Sequence, residues 1–130
     1  MWNLKDKTVV ITGATNGIGK AAALELAKQG PKLLLTFRNQ ELADNLLAEI
    51  KTAAPDVSVE LIYCDFSMQS SIRECSKEIV ASQDKIDVLI NNAGVVNTSY
   101  HETSEGIENT FAVNHLGYFL FTNLLLNKMK

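Results

Sequence analysis

The sequence predicts an α/β fold: a doubly wound parallel sheet in three layers, with strand order 3-2-1-4. Short apolar, β-branched runs alternate with longer stretches whose apolar residues recur every three or four positions, in the order β-α-β-α-β-α-β-α. The first strand breaks into Gly13, Gly17 and Gly19, and the fourth into Asn91-Asn92-Ala93-Gly94, so both end in small, turn-forming residues. Right-handed crossovers place strands one and four side by side, and the two loops then face one crevice at the carboxyl ends of the strands.

Each element is read from its own residues. Lys7 to Thr12 is a buried strand, short and β-branched. Ile18 to Gln29 is a helix with Ile18, Ala22 and Leu26 on one stripe, stopped by Gly30-Pro31. Lys32 to Phe37 is an uninterrupted apolar strand, as expected where both faces are covered. From about Gln40 to Ala53 a helix carries Leu42, Leu46 and Ile50, widened by Ala43 and Leu47. Val57 to Tyr63 alternates apolar with polar residues, which suits an edge strand. Ser67 is expected to cap a third helix, with Ile72, Cys75, Ile79 and Val80 inward. Ile86 to Ile90 is the fourth strand. After a polar loop, Asn97 to Ser104, a last helix is expected from about Glu105 to Lys128.

Composition narrows the class. With 130 residues, 46% of them hydrophobic, the chain is long enough for one domain with a real core. Its net charge of −3 and lack of a basic stripe argue against nucleic acid as a partner. No basic, apolar leader opens it. The longest apolar run, Phe111 to Leu126, is interrupted by Asn114, His115, Gly117 and Asn123, and falls short of the ~20 apolar residues of a spanning helix. The expectation is a soluble, cytoplasmic protein without a membrane span. Cys64 and Cys75 are expected as reduced thiols, and no His or Cys pair has metal-ligand spacing.

The glycine loop carries the first chemical signal. Gly13 allows the sharp exit from the strand, Gly17 lets a phosphate approach the backbone, and Gly19 permits close helix–sheet packing. In the widened gap Thr15 and Asn16 offer hydrogen bonds to phosphate or ribose, and Ile18 follows at the helix start. Strand, loop and helix together form an anion cradle suited to a dinucleotide pyrophosphate, although glycines alone also describe an ordinary turn. Arg38-Asn39 ends the second strand, where an NAD site would place an acid. Arg38 suits a 2′-phosphate, so NADP(H) is expected over NAD(H); the bland alternative is a solvated arginine. Asp65 either accepts from an adenine amino group or caps the turn into the next helix, and Phe66 is a candidate adenine wall. Asn92, Ala93 and Gly94 leave room for ribose and ring, or form a generic turn. Asn114 lies inside an apolar helix, where it either kinks the helix or is a satisfied core group.

Thr12-Gly13-Ala14-Thr15-Asn16-Gly17-Ile18-Gly19, Asp65, Asn91 to Gly94 and Asn114, in this order, resemble the short-chain dehydrogenase/reductase family. Arg38-Asn39 and Val113 to Leu120 resemble its retinol dehydrogenase branch. The resemblance implies a Rossmann-type fold, a nicotinamide cofactor and hydride transfer with a small-molecule alcohol or carbonyl. It implies for Asn114 the catalytic role of holding a water in the proton relay. Family enzymes also use a serine and a tyrosine followed four residues later by lysine. Here the residues four after Tyr63, Tyr100 and Tyr118 are Ser67, Ser104 and Thr122. The chain is therefore expected to be a single dinucleotide-binding domain over residues 1–130, cut before the Ser and Tyr-x-x-x-Lys region and without turnover alone. The alternatives are a non-catalytic NADP(H)-sensing module and a homo-oligomer paired through the bare fourth-strand edge.

Overall fold

A computed structural model describes residues 3–130. Strands β1 (Thr8–Ile11), β2 (Lys32–Phe37), β3 (Ser58–Tyr63) and β4 (Val88–Ile90) form one parallel sheet in the order β3-β2-β1-β4. Val9 stands opposite Leu33 on one side and Val88 on the other, while Leu33 stands opposite Val59, so apolar rows run across the sheet. The order is the one expected from the alternation of elements, with β3 at an edge.

Alternate residues of the central strands feed two cores. On one face Val9, Ile11, Leu33 and Leu35 meet Ala23 and Ala27 of helix α1 (Gly17–Ala27) and Leu46 and Ile50 of α2 (Gln40–Ala53). On the other, Val10, Leu34 and Ile62 meet Ile72, Cys75 and Ile79 of α3 (Gln69–Ser82), with Phe121 and Leu125 of the last helix. Helix, sheet and helix make the three layers. Val9, Val10, Leu33 and Leu34 are completely buried, which explains why β1 and β2 read as unbroken apolar runs.

Four local expectations need correction. The inward stripe of α1 is Gly19, Ala23 and Ala27, one position on from the stripe expected; Ile18 is 83% exposed. Small residues face the sheet because the helix lies close to it, so the bulkier side chains point elsewhere. In α2, Ala43, Leu46 and Ile50 are buried and Leu42 is left at the surface. Ser67 does not cap α3: its hydroxyl donates to Asp65 Oδ1 at 2.7 Å, and Met68 stands at the cap position without a side-chain bond.

The last helix does not begin at Glu105. Residues 101–109 form a small hairpin instead, with an antiparallel bridge between Glu102 and Glu108 and a bond from the Thr103 N–H to the Ile107 carbonyl at 2.7 Å. The helix, here α4 over residues 109–128, starts where Glu108 accepts from the N–H groups of Thr110 (2.6 Å) and Phe111 (3.0 Å). It runs as an α-turn (Asn109–Phe111), a π-helical stretch (Ala112–Leu116), an α-helix (Gly117–Leu125) and a 3-10 turn (Leu126–Lys128). No helix among the described residues is long and apolar enough to cross a membrane.

Candidate functional site

The carboxyl ends of β1, β2, β3 and β4 open into one cleft of about 800 Å³, at the upper end of the usual range for small-molecule sites. Of the residues singled out from sequence, Gly13, Thr15, Asn16, Gly17, Ile18, Arg38, Asn39, Asp65, Phe66, Asn92, Ala93 and Gly94 all border it. Gly19 and Asn114 do not; they act from behind the wall.

The loop from β1 to α1 depends on its glycines for two reasons. Gly13 has φ +65° and Gly17 φ +56°, backbone that a side chain disfavours. A β-carbon on Gly13 would also stand 2.6 Å from the Ala93 Cα, and one on Gly19 would overlap the Gly13 carbonyl and the Asn92 amide. At Gly17, by contrast, a β-carbon would meet nothing within 4 Å, so its backbone faces open space in the cleft. Helix α1 carries no acid in its first turn, and Asn16 at its cap makes no side-chain bond. The unpaired N–H groups at this helix start therefore present partial positive charge to the cleft.

Thr12 holds the floor. Its hydroxyl, wholly buried, accepts from the Asn92 N–H (2.9 Å) and the Ala93 N–H (3.0 Å), and sits 3.5 Å from the Ile90 carbonyl to which it donates. Asn92 in turn donates from Nδ2 to the Gly13 carbonyl at 3.0 Å. The Asn92 side chain thus ties the two loops together, while Asn92, Ala93, Gly94 and Val95 all border the cleft. Sequence reasoning passed over Thr12 as a site residue, and also Thr36, Phe37, Leu42, Cys64, Val95 and Val113 on the walls. The signal for Thr12 is a polar residue directly following the apolar run Val9-Val10-Ile11.

At the end of β2, Arg38 is exposed and takes no part in the ion pairs among the described residues, which involve Lys7, Lys20, Lys28 and Lys85. No carboxylate stands beside it on the strand end. Asn39 caps α2, accepting from the Leu42 N–H at 3.0 Å, so its Oδ1 is engaged in the cap while the residue borders the cleft. Asp65 combines the two sequence readings: Oδ1 accepts from the Ser67 N–H (2.9 Å) and hydroxyl in a local turn, while the residue lines the cleft. Phe66 is 5% exposed, and its ring lies edge-on to Phe121 (5.2 Å) and near Tyr118 (5.7 Å). It supports the cleft from the core more than it walls it.

Asn114 occupies the π-helical stretch, and its amide grips one residue: Oδ1 accepts from the Val95 N–H (2.9 Å) and Nδ2 donates to the Val95 carbonyl (2.7 Å). The helix departs from α-helical pairing at this polar residue, and the side chain is spent on holding the chain just after Gly94. Nearby, the Tyr118 hydroxyl is buried, and that burial pushes its pKa above the usual phenol value and keeps it protonated; the Thr12 hydroxyl offsets part of the shift without a well-aligned bond. Cys64 and Cys75 are buried free thiols, and the neighbouring Cys75 thiol together with burial holds Cys64 protonated far above its usual range. Among the described residues no cluster of ligands could hold a metal ion.

A family model described as short chain dehydrogenase matches residues 7–130. The chain belongs to this family. It is 43% identical over 124 residues to human retinol dehydrogenase 13, covering 95% of this chain and 38% of that protein. It is 43% identical over 127 residues to human retinol dehydrogenase 11, covering 98% and 40% respectively. A metagenomic short-chain oxidoreductase solved in complex with NADP superposes with a TM-score of 0.84 at 29% identity, covering 96% of this chain and 57% of that one. The chain thus spans about two fifths of the length of these curated relatives.

Proposed function

We propose that these residues form the NADP(H)-binding part of an oxidoreductase that moves hydride between the nicotinamide and a small alcohol/carbonyl pair. The observation that carries the coenzyme choice is Arg38: an arginine in no ion pair among the described residues, at the end of β2, on the same cleft as an uncapped helix start. The cradle fits a dinucleotide because Gly17 leaves open space where any other residue would place a β-carbon.

In this reading the N–H groups at the start of α1 hold the pyrophosphate, helped by Thr15 and Asn16. Arg38 bonds the 2′-phosphate, Asp65 accepts from the adenine amino group, and Ala93 and Gly94 leave space for the nicotinamide ribose. The coenzyme, when bound, supplies or takes the hydride. Asn114 keeps Val95, and with it the wall beyond Gly94, in place. The names of the curated relatives support an alcohol or carbonyl as substrate, and the NADP complex of the metagenomic relative supports the coenzyme. No tyrosine is followed four residues later by a lysine, so the 130-residue chain is expected to bind coenzyme without turnover.

Arg38→Asp tests the assignment. Losing hydrogen bonds to a charged partner costs about 1.5–3 kcal/mol, which corresponds to roughly 10- to 100-fold weaker NADPH binding, with NADH binding unchanged or improved. An unchanged NADPH/NADH ratio would remove the basis for the preference.

A further inference from the structure

Helix α3 has no cap of its own. Met68 at its cap position offers no side-chain acceptor, and its first turn contains no acidic residue. The Gln69 N–H is instead met by Glu105 Oε1 at 2.8 Å, from 36 residues further along the chain. Glu105 sits at the tip of the hairpin that joins the cleft wall at Val95 to helix α4. The base of that hairpin is closed by the bond from the Asn109 N–H to the His101 carbonyl, at 2.8 Å.

The helix start that Glu105 holds belongs to the turn that aims Asp65. Asp65 is fixed at both ends of this turn: its N–H donates to Ser71 Oγ at 2.8 Å, and its Oδ1 accepts from the Ser67 N–H and hydroxyl. The Met68 N–H closes the turn on the Asp65 carbonyl at 3.1 Å, and Gln69 follows directly. A carboxylate anchoring the Gln69 N–H therefore restrains a four-residue segment whose first side chain faces the cleft.

We infer that Glu105 is a positioning residue for the coenzyme: from the hairpin it caps α3 in trans and holds Asp65 in register with the adenine amino group. This rests on the dinucleotide reading of the cleft and adds to it a residue outside the cleft. It also ties the adenine end of the site to the loop that follows Gly94, because one hairpin touches both.

Two substitutions break the same bond from opposite sides. Glu105→Ala removes the acceptor. Gln69→Pro removes the donor at the first helical position, where proline is tolerated, after a Met68 already extended at φ −127° and ψ 117°. Dissociation constants are measured by calorimetry for NADPH and for its hypoxanthine analogue, which lacks the adenine amino group. Loss of a helix cap corresponds to roughly 3- to 10-fold weaker NADPH binding in both variants, with the analogue binding as it does to the unaltered chain. Equal weakening for both coenzymes would show a general structural role and overturn the inference, as would unchanged NADPH binding. Failure of the unaltered chain to bind NADPH would refute the dinucleotide reading itself. If Glu105→Ala does not fold, Gln69→Pro alone decides by the same comparison.

Discussion

Thr12→Val replaces a hydroxyl by a methyl of nearly the same shape at a wholly buried position. The substitution keeps the β-branch and the apolar packing of the strand end. It removes the acceptor shared by the Asn92 and Ala93 N–H groups, at 2.9 and 3.0 Å. An N–H left unpaired in the interior costs about 1–3 kcal/mol, so two would cost about 2–6 kcal/mol if fully enclosed. Both lie at the half-buried edge of the cleft, where water recovers part of the loss, and the estimate falls to about 2 kcal/mol. For a domain of this size that is a drop in Tm of roughly 6–10 °C. Thr12→Ser keeps the hydroxyl and loses one buried methyl, worth about 1 kcal/mol. Urea denaturation followed by circular dichroism gives both numbers on one scale. The predicted order is wild type, then Thr12→Ser, then Thr12→Val. A Thr12→Val variant within about 0.5 kcal/mol of wild type, or a serine variant less stable than the valine one, would refute the view that this hydroxyl joins β1 to β4.

Gly19→Ala should disorganise the glycine loop, because its β-carbon would overlap the Gly13 carbonyl and the Asn92 amide; NADPH binding should fall by roughly tenfold or more, and undiminished binding would show that the loop yields easily. Asp87 accepts from the Thr8 N–H at 2.9 Å and pairs with Lys85 and Lys7, and the Thr8 bond first and the lysines next hold its carboxyl below the usual 3.8. A depressed folded-state value means stabilisation that is complete above the unfolded value and lost as pH falls through the folded one. Asp87→Asn, which keeps an acceptor for Thr8, should therefore be less stable than wild type at pH 7, with the gap closing below about pH 4. A gap independent of pH would remove the charge from this account.

The parts of the fold visible in the sequence were those written in local pattern. β2 is a mostly apolar run because both of its faces are covered, and the glycine loop is legible because Gly13 and Gly17 take left-handed backbone that most side chains disfavour. The misreadings arose where distance in the chain decides. The inward face of α1 is its alanine stripe, because closeness to the sheet selects small residues, and the larger Ile18 turns to the cleft. Ser67 has the chemistry of a cap, yet Asp65 takes its hydroxyl and the cap comes from Glu105. The hairpin of residues 101–109 has no apolar periodicity to distinguish it from a helix start. Asn114 announced a disturbed helix, but its partner, Val95, lies 19 residues away and no local rule names it. Within the site, most cleft-lining residues lie at or just after a strand end, which is why topology gathers Gly13, Arg38, Asp65 and Gly94, whereas Leu42 and Val113 reach the cleft from helices.

The central claim is that this cleft holds a dinucleotide bearing a 2′-phosphate. Calorimetric titration of the unaltered chain with NADPH and with NADH, side by side in the same low-salt buffer, tests it directly. NADPH is predicted to bind at least roughly tenfold more tightly, the worth of one charged, forked contact from Arg38. Equal affinity for the two coenzymes, or no heat from either, would contradict it.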